Sequence, residues 1–230
     1  MVKMSSYNQD DKMITIITNQ YNLIHVLSRF GIPLGFNDKT IKEVCKDAKV
    51  DCNTFLAIVN FLNDSSDKTP DISFLSLESL LHYLKQSHIY FLNFYLPSIR
   101  RKLLDSITLK ASDVSFLILK LFDEYVEEIR AHMEEEEHHL FKTVEDAITG
   151  TSNNEKRLPV YSQHHEEVAS KLREVKNIII KYCPADSNAN LLNDALYDIF
   201  RCEEELESHC RIEDLLLLPA IKHHINNLKK

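Results

Sequence analysis

The chain has 230 residues, a net charge of −8 and 44% hydrophobic residues, enough apolar material for a sizeable core. It carries three glycines, far below the usual share of about 7%. Gly31, Gly35 and Gly150 form no glycine-rich phosphate loop, which excludes the common nucleotide-binding folds, and glycine-dependent hairpins are disfavoured as well. Leu, Ile, Glu and Lys abound, so the composition predicts an all-α protein. The acidic balance argues against non-specific nucleic-acid binding. No apolar run approaches a membrane span, and MVKMSSYNQDDK lacks the apolar stretch of a signal peptide, so the expected location is cytoplasmic. Cys45, Cys52, Cys183, Cys202 and Cys210 are odd in number, contain no C-x-x-C and read as reduced thiols.

In chain order, residues 1–68 predict a small N-terminal domain of three short helices, near 11–29, 39–47 and 52–63. Asn37 or Asp38 is the expected cap of the second helix and Asp51 of the third. The stretch Asp64–Asp71 (DSSDKTPD) is the clearest break. Thr40–Leu62 also has a helix–turn–helix pattern, but residues 1–68 hold eight Lys/Arg against eight Asp/Glu, which disfavours a DNA-binding face.

Residues 73–230 predict four long helices, near 76–106, 111–148, 158–182 and 188–228. Ser76 is the expected N-cap of the first, Pro97 should kink or split it, Gly150 follows the second, and Pro219 interrupts the last. Long helices joined by short loops imply an antiparallel four-helix bundle.

Two segments share one pattern. His132 and Glu136 stand at i, i+4, and so do His209 and Glu213, which puts each pair on one helix face. His88 and His165 each precede such a pair by 44 residues, so the two halves are offset by 77 throughout: 88→165, 132→209, 136→213. His82 competes with His88 but lies about 240° away around the helix, and the offset favours His88. Four imidazoles and two carboxylates, without thiolate, suit iron and also manganese or zinc. Six side chains exceed the needs of one tetrahedral zinc, and two carboxylates able to bridge point to a dinuclear non-haem iron site. In the run Glu134–Glu137, Glu136 is best aligned with His132, and the other three read as a solvated face. His138, His139, His223 and His224 read as surface residues, and Tyr83, Tyr90, Tyr95 and Tyr161 as packing residues.

These residues carry a resemblance. His88 with Leu96-Pro97, His132–Glu136 with Leu140-Phe141, His165-Glu166, and His209–Glu213 with Leu218-Pro219 resemble the hemerythrin-like (HHE) cation-binding domain. The whole chain is similar to the iron–sulfur cluster repair di-iron (RIC) family. That resemblance implies a hemerythrin-like bundle holding two iron ions with an oxo or hydroxo bridge, ligated by His88, His132, Glu136, His165, His209 and Glu213. It implies repair of clusters damaged by nitrosative or oxidative stress, through iron donation or nitric oxide chemistry, as a stress response. NO, O2 or peroxide are the implied small-molecule partners, and damaged iron–sulfur proteins the macromolecular ones. A homodimer is admitted, and no membrane partner is expected. Two alternatives stay open: a non-catalytic O2- or NO-binding storage or sensor protein, and a regulator whose N-terminal unit binds a partner. Whether the chain turns over its small molecule, as an enzyme would, is open too.

The resemblance has gaps. The family's N-terminal domain carries adjacent cysteines in a Gly-Ile-Asp-aromatic-Cys-Cys-Gly-Gly-like segment. The matching stretch here is Gly31-Ile32-Pro33-Leu34-Gly35-Phe36-Asn37-Asp38, without the pair. The residue before the third His is His164 rather than acidic, and Lys142 replaces the Pro after Leu-Phe.

Overall fold

The computed structural model describes residues 6–63, 71–107, 113–151, 162–185 and 187–228, with side chains left out for 162–170 and 228. The described residues are helical with no strand; an isolated bridge joins Lys12 to Thr40.

The N-terminal segment contains α1 (Met13–Asn19), α2 (Ile24–Arg29), α3 (Ile41–Asp47) and α4 (Cys52–Asn63). The single helix expected over 11–29 is therefore two, separated at Gln20, whose φ of −142° and ψ of 81° are not helical. The run Ile14–Thr18 is entirely β-branched, and such residues lose rotamer freedom in a helix, so the segment has little reserve against a break. The cap of α3 is Thr40, not Asn37 or Asp38. Thr40 and Glu43 form a capping box, whereas Asn37 has a φ of 51°, in the left-handed region that an N-cap does not use. Asp51 does cap α4, accepting from the Thr54 backbone N–H at 2.8 Å.

The longer helices are α5 (Leu77–Tyr90), α6 (Leu96–Ser106), α7 (Asp113–Glu136), α8 (Lys142–Thr149), α9 (Ser162–Tyr182), α10 (Ala189–Ile212) and α11 (Leu218–Leu228). Ser76 caps α5 through the Ser79 N–H at 3.2 Å, and Gly150, at φ +69°, closes α8 in the left-handed conformation that glycine adopts without penalty. Three of the junctions are single π-helical turns: Phe91–Tyr95 between α5 and α6, Glu137–Phe141 between α7 and α8, and Glu213–Leu217 between α10 and α11. At the first and third, the residue before a proline donates five positions back, Leu96 N–H to Phe91 C=O and Leu218 N–H to Glu213 C=O. Pro97 and Pro219 thus begin new helical stretches, where a missing N–H is tolerated.

Contacts divide the chain into two compact units. The first joins residues 1–87, 141–158 and 211–230. There the Arg29 guanidinium donates to the Tyr83 hydroxyl at 3.2 Å, Phe30 packs on the Tyr83 ring, the Ser76 N–H donates to Thr54 Oγ1 at 2.9 Å, and Arg211 lies over Phe61. Helix α4 buries Thr54, Phe55, Ile58, Val59 and Phe61, and Asn53 is its one exposed residue, so the helix–turn–helix pattern leaves no open recognition face.

The second unit joins residues 88–140 and 159–210. Its core draws Leu96, Ile99 and Leu103 from α6, Ile118, Phe122 and Ile129 from α7, Leu172 and Val175 from α9, and Ala195, Ile199 and Leu206 from α10. The 77-residue offset runs through this core. Ile118, Phe122, Tyr125, Ile129, His132 and Glu136 are buried, and so are Ala195, Ile199, Cys202, Leu206, His209 and Glu213. Steps of three and four keep each set on one helical stripe, so the His-x-x-x-Glu residues continue the apolar face of their helix.

Candidate metal centre

Three helices place the polar end of those stripes. His88 is in the last turn of α5, His132 and Glu136 end α7, and His209 and Glu213 stand one turn apart where α10 passes into its π turn. His88, Glu136, His209 and Glu213 are 0–2% exposed and His132 is 8% exposed. Ligating atoms of His88, Glu136, His209 and Glu213 all lie within 4.8 Å of one another.

The contacts are specific. His88 Nε2 faces His209 Nε2 at 3.1 Å and Glu136 Oε2 at 3.5 Å. His132 Nε2 lies 3.1 Å from Glu136 Oε1, so Glu136 is shared between two imidazoles. The Phe91 ring stands edge-on to His209, centroids 6.0 Å apart, and limits the tilt of that imidazole. Burial opposes a charge on His88, but the Glu136 and Glu137 carboxylates outweigh it and raise the ring above the ordinary histidine pKa.

Buried carboxylates are costly in an apolar core unless paired or bound to a metal. Here two of them converge with imidazoles whose ring nitrogens point at one another, a nitrogen and oxygen donor set without thiolate. That chemistry fits iron, manganese or zinc.

The six predicted residues divide as follows. His88, Glu136, His209 and Glu213 are brought together, and His132 adjoins them through Glu136. His165 is on α9, and its side chain lies outside the described residues. His82, the competitor of His88, is exposed. His138 donates from Nδ1 to the Glu134 carbonyl at 2.6 Å and is exposed, and His223 is exposed and accepts from Asn227 Nδ2 at 2.8 Å. Tyr83 and Tyr95 are buried in packing roles, Tyr95 donating to the Asp198 carbonyl at 3.2 Å. Tyr161 lies outside the described residues.

Glu137 departs from its sequence reading. It is not simply part of a solvated face: its Oε1 lies 2.9 Å from His88 Nδ1. Regular helical geometry sets position 137 off the His132–Glu136 stripe, so the pattern gives no sign of the contact. The signal is the π turn that begins at Glu137, since such turns recur at functional sites.

The Hemerythrin HHE cation binding domain matches residues 79–221, more than half of the chain. The chain belongs to that family. No curated protein and no solved structure matches it. The hemerythrin match spans α5 through the first residues of α11 and so contains every residue of the buried cluster. Among the described residues, no helix is long and apolar enough to cross a membrane.

Proposed function

We propose that this hemerythrin-domain protein is a di-iron protein that acts in the repair of iron–sulfur clusters damaged by nitrosative or oxidative stress. The observation that carries the metal reading is the buried quartet His88, Glu136, His209 and Glu213 at the polar end of an otherwise apolar stripe. In this reading residues 1–68 form a small helical N-terminal domain and residues 73–230 an antiparallel four-helix bundle. Glu136 and Glu213 would supply the carboxylates, and His88, His132, His165 and His209 the imidazoles, that hold two irons. When bound, two irons supply one-electron redox chemistry and a place for NO, O2 or peroxide to bind. The chain's own residues would supply the imidazoles and two desolvated carboxylates that hold the metal, ligation needs the neutral imidazoles, and the Phe91 ring packs edge-on against His209. The reading favours the cytoplasm, and iron is then released to damaged iron–sulfur proteins.

Metal analysis of protein purified without added metal tests the centre. Two irons per chain are expected, falling well below two in His132→Ala and His209→Ala and unchanged in His138→Ala and His223→Ala. Unchanged iron in both ligand variants would sink the assignment. Cluster repair is tested by incubating the iron-loaded chain with an NO-damaged [4Fe–4S] protein and following recovery of its visible spectrum. A stable, reversible oxygenated band with no transfer of iron would instead identify an O2 carrier.

A further inference from the structure

Resting on the di-iron reading, we infer that Glu137 is a positioning residue that fixes the tautomer of His88 and aims its Nε2 at the metal. The two nitrogens of this one imidazole face different groups. Nε2 faces the cluster, at 3.1 Å from His209 Nε2 and 3.5 Å from Glu136 Oε2. Nδ1 faces the Glu137 carboxylate at 2.9 Å. An ionised carboxylate only accepts; Glu137 is at hydrogen-bond distance from Nδ1 at 2.9 Å whereas Glu136 stands off Nε2 at 3.5 Å, so the proton of the neutral ring sits on Nδ1, and the lone pair of Nε2 is directed into the cluster. Consecutive residues therefore grip opposite edges of one ring, Glu136 from the cluster side and Glu137 from behind.

Consecutive residues of a regular α-helix project about 100° apart, which would carry the second carboxylate away. The change from α to π geometry falls between them, since α7 ends at Glu136 and the π turn begins at Glu137. His88 is 1% exposed on its side chain and Glu137 is 45% exposed, so the buried imidazole is anchored by a carboxylate at the rim. The rim position has a practical consequence: truncating Glu137 opens no core cavity, and its effect on metal binding is separable from folding. Partners of this kind orient a ligating imidazole and raise its basicity, and their loss typically weakens metal binding about 10–100-fold.

The test has two arms on the full-length chain. Iron affinity is measured by competition with a chelator. Glu137→Ala is expected to bind about 10–100-fold more weakly, Glu137→Gln, which keeps an acceptor oxygen, to recover most of that loss, and Glu135→Gln, which removes a charge from the same acidic run, to bind as wild type does. In the second arm, two-bond 1H–15N correlation spectra of the metal-free, histidine-labelled protein are recorded at a pH where His88 is neutral. They should show the Nδ1–H form in wild type and in Glu137→Gln, and a tautomer mixture in Glu137→Ala. Wild-type affinity in Glu137→Ala, an equal loss in Glu135→Gln, or an Nε2–H ring in wild type overturns the proposal. A wild-type chain that holds no iron sinks the di-iron reading itself, and the tautomer spectra then decide the role of Glu137 alone.

Discussion

The π turn before Pro97 offers a quantitative check on why these helices are interrupted where they are. A proline inside an α-helix loses a hydrogen bond and clashes with the carbonyl four residues back, at a cost of about 3 kcal/mol or more. Here the bond from Leu96 reaches back five residues to Phe91, and Pro97 follows it at the start of α6. A π turn holds about one residue more than an α turn. Deleting exposed Asn93 should therefore convert it to an α turn while leaving Phe91 upstream and Leu96, Ile99 and Leu103 downstream, all fully buried, on their present faces. The deletion forces Pro97 into helix interior and is expected to cost about 3 kcal/mol in urea unfolding of the metal-free protein. Pro97→Ala alone should change stability by less than about 1 kcal/mol, because Pro at a first helical position is well accommodated. The combined variant should return close to wild type, giving a coupling of about 3 kcal/mol, far above the roughly 0.3–0.5 kcal/mol within which independent sites add. Additivity within that margin would show that the turn does not accommodate the proline.

The raised pKa of His88 predicts opposite pH trends for the metal-free and metal-bound chain. A folded-state pKa above the unfolded value, about 6.5 for a histidine, adds stability that is full below that value and is lost as the pH rises through the folded one, so thermal unfolding of the metal-free protein against His88→Asn should differ more at low pH than at high pH. Metal affinity should fall over the same acid range, because ligation needs the neutral ring; a pH-independent stability difference would refute the assignment. A chain beginning at Ser73 loses Arg29, Phe30, Thr54 and Phe61 from the first unit, which uncovers Tyr83; exposing that side chain alone is worth about 1.5–3 kcal/mol, so the truncated chain should melt below the full one while its six proposed ligands remain. Cys45 is fully buried and burial raises its thiol far above the usual range, with Cys52 raised in the same way, so both should react slowly with a thiol reagent in the native state, and Cys45→Ser, Cys52→Ser should keep its iron spectrum.

Much of this was legible in the residues. Apolar steps of three and four, with caps at Ser76 and Asp51, delimit helices close to those observed. The 77-residue offset of the His and Glu residues extends through four more buried positions on each of α7 and α10. Three features were not read. The box Thr40-x-x-Glu43 is present in the sequence, but Asn37 and Asp38, residue types equally suited to an N-cap, stand just before it and mask it. The break at Gln20 has no proline or glycine to mark it. Contacts group residues 1–87 with 141–158 and 211–230, an association of distant segments that no local pattern encodes.

The π turns tie the fold to the site more closely than the prolines do. If proline alone produced them, the junction after α7 should be regular, because Lys142 stands where the resembling family has its proline. Yet Glu137–Phe141 is a π turn as well. What the three turns share is position: each begins at or within three residues of His88, Glu136 or Glu213. A π turn advances the helix surface by roughly one residue's rotation. It therefore lets side chains upstream face the cluster while the apolar stripe downstream, Leu96 and Ile99 on α6 or Val144 and Ala147 on α8, stays buried. A regular helix would have to give up one or the other. The proline is then a consequence, tolerated where the ladder already steps back five residues, and the constraint common to all three helices is the cluster of buried imidazoles and carboxylates.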